Sequence, residues 1–141
     1  MKNKMKFKEV LEIRNFLESL IVDRENQVER DYSAPVKYFF IRNIVHIDKE
    51  IELFEGIRGN LVHKYGEPAK DEEGKDCFRT KEEDKEKFFS EIQELIDFEI
   101  ELECFKASQD FQNKILEEIT GFDISLNPEV VNYLNKYYFV H

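Results

Sequence analysis

The sequence has few residues that interrupt regular structure, and it has no long apolar run. Three prolines and five glycines among 141 residues are few turn-forming residues. We therefore expect long helices or strands and not a loop-rich fold. No apolar run approaches the ~18 residues that a helix needs to cross a bilayer. The basic N-terminal segment also lacks the apolar core of a signal peptide. We therefore expect one cytoplasmic domain, residues 1–141, with no membrane partner.

Cysteine and histidine are also scarce. Cys77 and Cys104 are far apart and in dissimilar settings, which is typical of two reduced thiols in a cytosol. His46, His63 and His141 lack the spacing of metal ligands, because the first two lie about 25 Å apart along one helix. P-loop, dinucleotide-binding, nucleophile-elbow and protease signatures are absent from the sequence. The sequence thus predicts no enzyme activity, with no catalytic, metal-binding or cofactor-binding residues.

Acidic residues predominate in the second half of the chain. The net charge is −10, and residues 71–103 alone contain fourteen acidic and five basic side chains. Proteins bind nucleic acid mainly by neutralising phosphates with Lys and Arg, so we expect no direct binding to DNA or RNA. A partner protein with a basic surface is expected instead.

The longest regular pattern runs from Pro35 to Gly66. Pro35 suits a first helical position, and Gly66 with Pro68 suits a helix stop. Such a helix would be roughly 45 Å long, so other segments or a second copy of the chain must pack along it. Its apolar residues, spaced by three and four along much of the stripe, are Phe40, Ile44, Ile47, Ile51, Phe54, Leu61 and Tyr65.

Further apolar residues widen the first half of this helix, from Val36 to Ile51. We therefore expect that half to be covered on two sides. Gly56 and Gly59, in the second half, either let another helix approach closely or permit a bend. The additional apolar residues are Tyr38, Phe39, Ile41 and Val45.

Shorter elements are predicted before and after the long helix. Residues 7–20 have helical periodicity, and the alternating lysines from Lys2 to Lys8 form either a solvated leader or a short edge strand. Residues 22–34 are a connection. The segments on either side of a turn at Asp71–Gly74 could pair as a small hairpin.

A second amphipathic helix is predicted after that turn. Thr80 and Glu83 have the spacing of a capping box, in which both side chains bond N–H groups at the helix start. The apolar face ends near Asp97, and the helix is the natural antiparallel partner of the long one. Its apolar residues are Phe88, Phe89, Ile92, Leu95 and Ile96.

The remaining chain alternates between strand and helix patterns. From Phe98 to Cys104, apolar residues alternate with glutamates, which favours a half-buried strand over a continued helix. Phe122–Leu126 alternates again and could pair with it. A short helix from a Ser108 cap to Gly121 separates the two. A last helix starts at Asn127-Pro128, and its aromatic tail is expected to dock on the core.

These patterns predict a mainly α protein of the α+β type. It consists of a long antiparallel helical hairpin, a small two-stranded β element and short C-terminal helices. In the strand, alternate glutamates project from one face about 7 Å apart, and with the acids of the preceding helix they would create a strong negative field. Such a row is more often a solvated face than a site. The candidate partner-binding residues are Glu91, Glu94, Asp97, Glu99, Glu101 and Glu103.

Several short sequence segments, taken in order, resemble those of a known group of proteins. FLESL in the first helix, KYGE at the end of the long helix, DEEGK in the loop, EIELE in the strand and the closing GFDISLNPEVVNYLNKYYF occur in that order. The chain resembles small proteins of unknown function encoded by phages and prophages of Gram-positive bacteria. This resemblance implies a phage origin and a non-enzymatic accessory protein in the bacterial host cytoplasm.

Two functional hypotheses follow from these features. In the first, the chain is a non-enzymatic protein-interaction module whose acidic residues 71–103 imitate nucleic acid and inhibit a host defence or nucleic-acid-binding protein. In the second, it is a virion assembly or chaperone-like component that self-associates as a homo-oligomer through the long helix. A metal-dependent enzyme with clustered carboxylates is the least supported alternative, because the ligand spacing is missing.

Overall fold

The computed structural model describes residues 2–122 and 128–140. It is mostly helical, as predicted. The helices in these ranges are α1 (Phe7–Ile21), α2 (Ala34–Tyr65), α3 (Lys85–Asp97), α4 (Gln109–Gly121) and α5 (Pro128–Tyr133), and α5 continues as a π-helix over Leu134–Tyr138. The described strands pair antiparallel as β1 (Lys2–Met5) with β6 (Ile100–Glu103), β2 (Val22–Asp23) with β3 (Val28–Glu29), and β4 (Gly66–Lys70) with β5 (Asp76–Thr80).

The predicted long helix is confirmed as α2, which runs for 32 residues with Pro35 in its first turn. At its end the backbone turns directly into β4 at Gly66. A Cβ atom at this position would collide with the carbonyl oxygen of Val62 and lie 3.3 Å from the Cβ of Phe78. Glycine is therefore required here because of the close approach of the backbone and not because of an unusual φ angle.

The core lies along the inner side of the first half of α2, where Val36, Phe40 and Ile47 are buried. Arg14 of α1 ties the two helices together at the surface, since its Nε atom donates to Asp48 Oδ1 at 2.7 Å. The other main contributors to the core come from α1, β6, α4 and the C-terminal segment. They include Val10, Leu17, Leu102, Ile115, Ile119, Leu134 and Tyr138.

One amide side chain is buried within this apolar core. Asn43 is 1% exposed, and its Oδ1 atom accepts a hydrogen bond from the backbone N–H of Phe105 at 2.8 Å. Its Nδ2 atom donates to the carbonyl oxygens of Phe105 and Phe39, at 3.2 and 3.1 Å. The amide thus holds the segment after β6 against the middle of α2 and satisfies both polar groups of that backbone.

The expectation that the first half of α2 is covered on two sides is wrong. Phe39 is buried, but Tyr38, Ile41 and Val45 are 66%, 46% and 44% exposed. The buried side chains that pack on this half do so on its inner side, and β4, β5 and α3 continue from the far end of α2 instead of folding over its outer side. One apolar side of the helix is therefore left facing solvent.

The second half of α2 carries a less buried part of the fold. The Tyr65 ring packs edge-on against Phe88 of α3, and Lys64 lies 3.6 Å from Glu91. Although every residue of α3 is described, none of its side chains is fully buried. The segments over Gly66–Thr80 pair as the predicted hairpin, with the turn held by Asp71, whose Oδ1 accepts the N–H groups of Glu73 and Lys75.

The strand predicted after Phe98 is confirmed over Ile100–Glu103, but its partner is different from the predicted one. β6 pairs with β1, so the lysine-rich leader is an edge strand over Lys2–Met5. The second strand predicted over Phe122–Leu126 lies, apart from Phe122, within residues 123–127, outside the described ranges. Three two-stranded sheets are found in the described chain. The pairing of β2 with β3 was not predicted, and it occupies part of the predicted connection.

Helix starts were predicted with mixed success. The capping box at Thr80 is wrong, because Thr80 pairs with Gly66 in the hairpin and a turn of 3-10 helix (Glu82–Asp84) precedes α3. Ser108 does cap α4, since its Oγ atom accepts from the N–H of Phe111 at 3.4 Å. The aromatic tail is docked on the core as expected, with Tyr138 fully buried.

Burial of Tyr32 predicts a loss of stability in alkaline solution. Its hydroxyl donates to the carbonyl oxygen of Leu20, and burial raises the pKa of Tyr32 to about 12. The unfolded tyrosine ionises near pH 10, so the stabilisation is complete below pH 10 and is lost as the pH rises towards 12. We expect this group alone to lower the free energy of unfolding by about 1.4 kcal/mol at pH 11.

Urea unfolding at pH 9 and pH 11 tests this expectation. Tyr32→Phe should show a smaller loss between the two pH values than the wild type. Tyr38→Phe, in which the exposed hydroxyl of Tyr38 is removed, should behave as the wild type does. An equal alkaline loss in Tyr32→Phe and wild type would contradict the assignment.

Candidate partner-binding surface

The outward side of α3 combines acidic and aromatic side chains. Helical spacing places Glu86, Gln93 and Asp97 on one side of α3, opposite the side that contacts α2. A shallow depression near the end of this helix is lined by Ser90, Gln93, Glu94, Asp97 and Phe98. We call this surface the acidic face, and it consists of Glu86, Phe89, Ser90, Gln93, Glu94, Asp97 and Phe98.

Two phenylalanines on the acidic face are largely exposed. Phe89 is 63% and Phe98 is 65% exposed, although a phenylalanine ring gains free energy when it is removed from water. Phe89 was predicted to lie on the buried side of the helix, and this is wrong. Phe88 occupies that side instead, because it shares the four- and seven-residue spacing of Ile92 and Leu95.

The acids of this face are placed where the helix itself does not favour them. Glu94 and Asp97 lie in the last turn of α3, which contains no basic residue. Negative charge near a helix C-terminus costs roughly 0.3–1 kcal/mol. Among the described residues, none forms an ion pair within 4 Å with Glu86, Glu94 or Asp97. Gln93 alone donates a hydrogen bond to Asp97, at 3.1 Å.

The six acidic residues predicted as a site do not form one surface. Glu94 and Asp97 belong to the acidic face, and Glu99 is exposed in the connection that follows it. Glu91 is turned towards α2, where it pairs with Lys64. A hydrogen bond with Tyr65 and the charge of Glu91 raise the pKa of Lys64.

The other two predicted residues, Glu101 and Glu103, lie on the exposed side of β6. The register of the sheet places Glu101 opposite Lys4 and Glu103 opposite Lys2. Directly opposite residues have Cβ atoms about 4.5–5.5 Å apart, so the charges of Lys4 and Glu101 attract across the strands. The alternating glutamates and the alternating lysines therefore belong to one sheet of mixed charge.

The two exposed phenylalanines of the acidic face were not predicted from the sequence. Phe89 was grouped with the buried residues because it adjoins Phe88, although its neighbours three before and four after are Glu86 and Gln93. That polar spacing was the signal that Phe89 faces solvent. Phe98 was assigned to the strand, whereas β6 begins at Ile100.

Other kinds of site find no support in the described chain. In residues 2–122 and 128–140, no group of three or more His, Cys, Asp or Glu side chains is arranged to hold a metal ion. Cys77 and Cys104 are free thiols, and burial raises the pKa of Cys104. None of the described helices has the length and apolar character that a membrane span requires.

The fold and the surface together define a mainly α protein with small two-stranded sheets and an exposed acidic, aromatic helix face. No family model matches this chain, and no curated protein or solved structure matches it.

Proposed function

We propose that this chain is a non-enzymatic protein-interaction module, encoded by a phage and working in the bacterial host cytoplasm. Its acidic face binds a host or phage protein that has a basic surface. The observation that carries the proposal is the exposure of Phe89 and Phe98 among acids that lack an ion pair in the described chain. The phage origin rests on the resemblance of the sequence segments alone.

The chemistry of the acidic face suits a charged protein partner. Aromatic side chains are enriched among the residues that contribute most to binding, and they do so when a partner removes them from water. Surrounding charges of one sign accelerate association with a surface of the opposite sign. Phe89 and Phe98 are thus proposed as anchors, and Glu86, Glu94 and Asp97 as the charges that attract and orient the partner.

A narrower form of the proposal identifies the partner as a nucleic-acid-binding protein, such as a host defence enzyme. In this form α2 and α3 make an antiparallel helical hairpin that carries the acidic face into a channel built for phosphates. The excess of nine acidic over basic residues in 71–103 supports this form. Inhibition would result because the module and the nucleic acid compete for the same basic residues.

Affinity capture tests the proposal with four forms of the protein. The wild type, Phe89→Ala/Phe98→Ala and Glu94→Gln/Asp97→Asn are immobilised and exposed to lysate of a Gram-positive bacterium. The matched control is Glu101→Gln/Glu103→Gln, which removes two negative charges from the sheet where lysines lie opposite. Captured proteins are identified, purified and measured for affinity at low salt and at about 0.5 M salt.

We expect the wild type and the control to capture the same basic protein. Both acidic-face variants should bind it about tenfold more weakly or worse, and the wild-type affinity should fall with salt. Duplex DNA should displace the captured protein if the narrower form is correct. A captured protein that is not basic, or an affinity indifferent to salt and to the acidic-face substitutions, would contradict the proposal.

A further inference from the structure

The outer side of α2 carries exposed apolar residues along most of its length. Besides Tyr38, Ile41 and Val45, the side chains of Leu53 and Ile57 are 63% and 49% exposed. With Lys49 and Asn60 they follow one another in steps of three and four, so they form an inclined row that winds across the outer side of the helix, with Ile41 and Ile57 towards its two flanks. We call it the outer row, and it consists of Tyr38, Ile41, Val45, Lys49, Leu53, Ile57 and Asn60.

The outer row is symmetric about its middle residue, Lys49. Val45 and Leu53 lie four residues on either side of Lys49, and Ile41 and Ile57 lie eight residues on either side. If two copies of α2 pack antiparallel around a twofold axis at Lys49 and cross at about −50°, these inclined rows run alongside each other, and Val45 of one copy lies opposite Leu53 of the other. A twofold interface requires this kind of self-complementary surface.

The second half of the outer row contains two holes of the kind that accept a side chain from a facing helix. A shallow depression on this side of α2 is lined by Lys49, Glu52, Leu53, Gly56, Ile57 and Asn60. Residues at positions i, i+3, i+4 and i+7 form a hole that accepts one side chain from a facing helix. The depression contains two such holes in succession, 49-52-53-56 and 53-56-57-60.

The first half of the outer row supplies side chains that match these holes. In the antiparallel arrangement, Val45 of the second copy is opposite Leu53 and enters the first hole. Ile41 of the second copy is opposite Ile57 and enters the second. Gly56 belongs to both holes, and apart from the neighbouring backbone of α2 itself no described atom lies within 4 Å of the position that its Cβ would occupy.

Gly56 and the charges near the axis fit the same arrangement. A glycine inside an exposed helix costs roughly 0.5–1 kcal/mol relative to alanine, and space for a second helix would offset that cost. The two Lys49 side chains face each other at the axis and repel, but each also lies within one helical turn of Glu52 of the other copy, so two attractions act against one repulsion. A second copy of this chain supplies these acidic groups, whereas an unrelated apolar helix does not.

We propose that α2 forms an antiparallel twofold dimer through the outer row, with Ile41 and Val45 of each copy inserted around Gly56 of the other. The surface contains no residue of the acidic face. The dimer and the proposed partner binding can therefore succeed or fail independently.

Pairwise cross-linking tests the register of the dimer. All variants carry Cys77→Ser, because Cys77 is partly exposed, whereas Cys104 is buried. Under mild oxidation, Lys49→Cys should form a disulfide-linked dimer by itself. Val45→Cys and Leu53→Cys should cross-link efficiently only when the two variants are mixed. Lys87→Cys, exposed on α3, serves as the control and should remain monomeric on a denaturing gel.

Sedimentation tests the packing without cysteines. We expect the wild type to dimerise and Gly56→Leu to dimerise about tenfold more weakly or worse, because the new side chain fills both holes. Leucine favours helix more than glycine does, so Gly56→Leu should unfold no more easily than the wild type. Leu11→Glu and Val45→Glu form a matched pair at two exposed apolar positions. Only Val45→Glu should weaken the dimer.

Two results would overturn the proposal. One is a wild type that stays monomeric at the highest concentration measured. The other is a dimer in which Val45→Cys links to itself as readily as to Leu53→Cys, because that pattern belongs to a parallel pair and not to an antiparallel one.

Discussion

Phe40→Ala is expected to lower the free energy of unfolding by about 3–5 kcal/mol. The Phe40 side chain is fully buried on the inner side of α2. Its ring centroid lies 5.2 Å from that of Tyr32, edge to face, and 5.8 Å from that of Phe39. The truncation removes a large apolar surface and leaves a cavity in the core, which the neighbouring rings cannot fully close.

Urea unfolding of Phe40→Ala and Phe89→Ala measures this effect with identical chemistry at two sites. Phe89 is largely exposed, so its truncation should change the free energy of unfolding by no more than about 0.5 kcal/mol. Equal losses in the two variants would show that the inner side of α2 is not the core. A stable Phe89→Ala protein would also show that this half of the double variant in the capture experiment leaves the fold intact.

Asn43→Leu is expected to cost about 2–4 kcal/mol, although it makes the core more apolar. The substitution leaves the partly buried N–H and carbonyl groups of Phe105 without the amide that satisfies them. An unsatisfied buried polar group costs about 1–3 kcal/mol, whereas the added apolar area offsets only part of two such losses. Asn15→Leu, made at an exposed position of α1, should be nearly neutral.

Asn43→Asp refines the same test through its pH dependence. At neutral pH a carboxylate would face the carbonyl oxygens of Phe39 and Phe105, where the wild-type amide donates. Burial and these carbonyl groups would raise the pKa of the introduced carboxyl group in the folded state. The deficit of Asn43→Asp relative to the wild type should therefore shrink as the pH falls from 7 to 5. A deficit that grows on acidification would contradict the proposed contacts.

The long helix could be predicted from the sequence because its signals are local. The spacing of apolar residues, Pro35 at the start and Gly66 at the end all act within a few residues of where they stand. Asn43 could not be assigned in the same way. It interrupts an apolar stripe, and its amide forms hydrogen bonds with the backbone of Phe105, which lies 62 positions further along the chain.

Strand pairing shows the same division between local and distant information. The alternation after Phe98 predicted a strand, but nothing local distinguished β1 from the residues near Phe122 as its partner. Lys4 opposite Glu101 suggests that matching charge patterns could have identified the pair. The candidate site was predicted only in part for the same reason, because its residues have partners that are distant in the sequence. A count of acids along the sequence does not show that Glu101 has a lysine across the sheet, or that Glu91 faces Lys64.

The three small sheets have a consequence for solubility. Each described strand is paired on one side only, so each has an open edge whose N–H and C=O groups could recruit a strand from another molecule. The strands are five residues long or shorter, β4 contains Pro68, and charged residues such as Lys4, Lys70 and Asp76 line them. A net charge of −10 adds repulsion between molecules. Part of the acidity of this chain therefore protects it against aggregation.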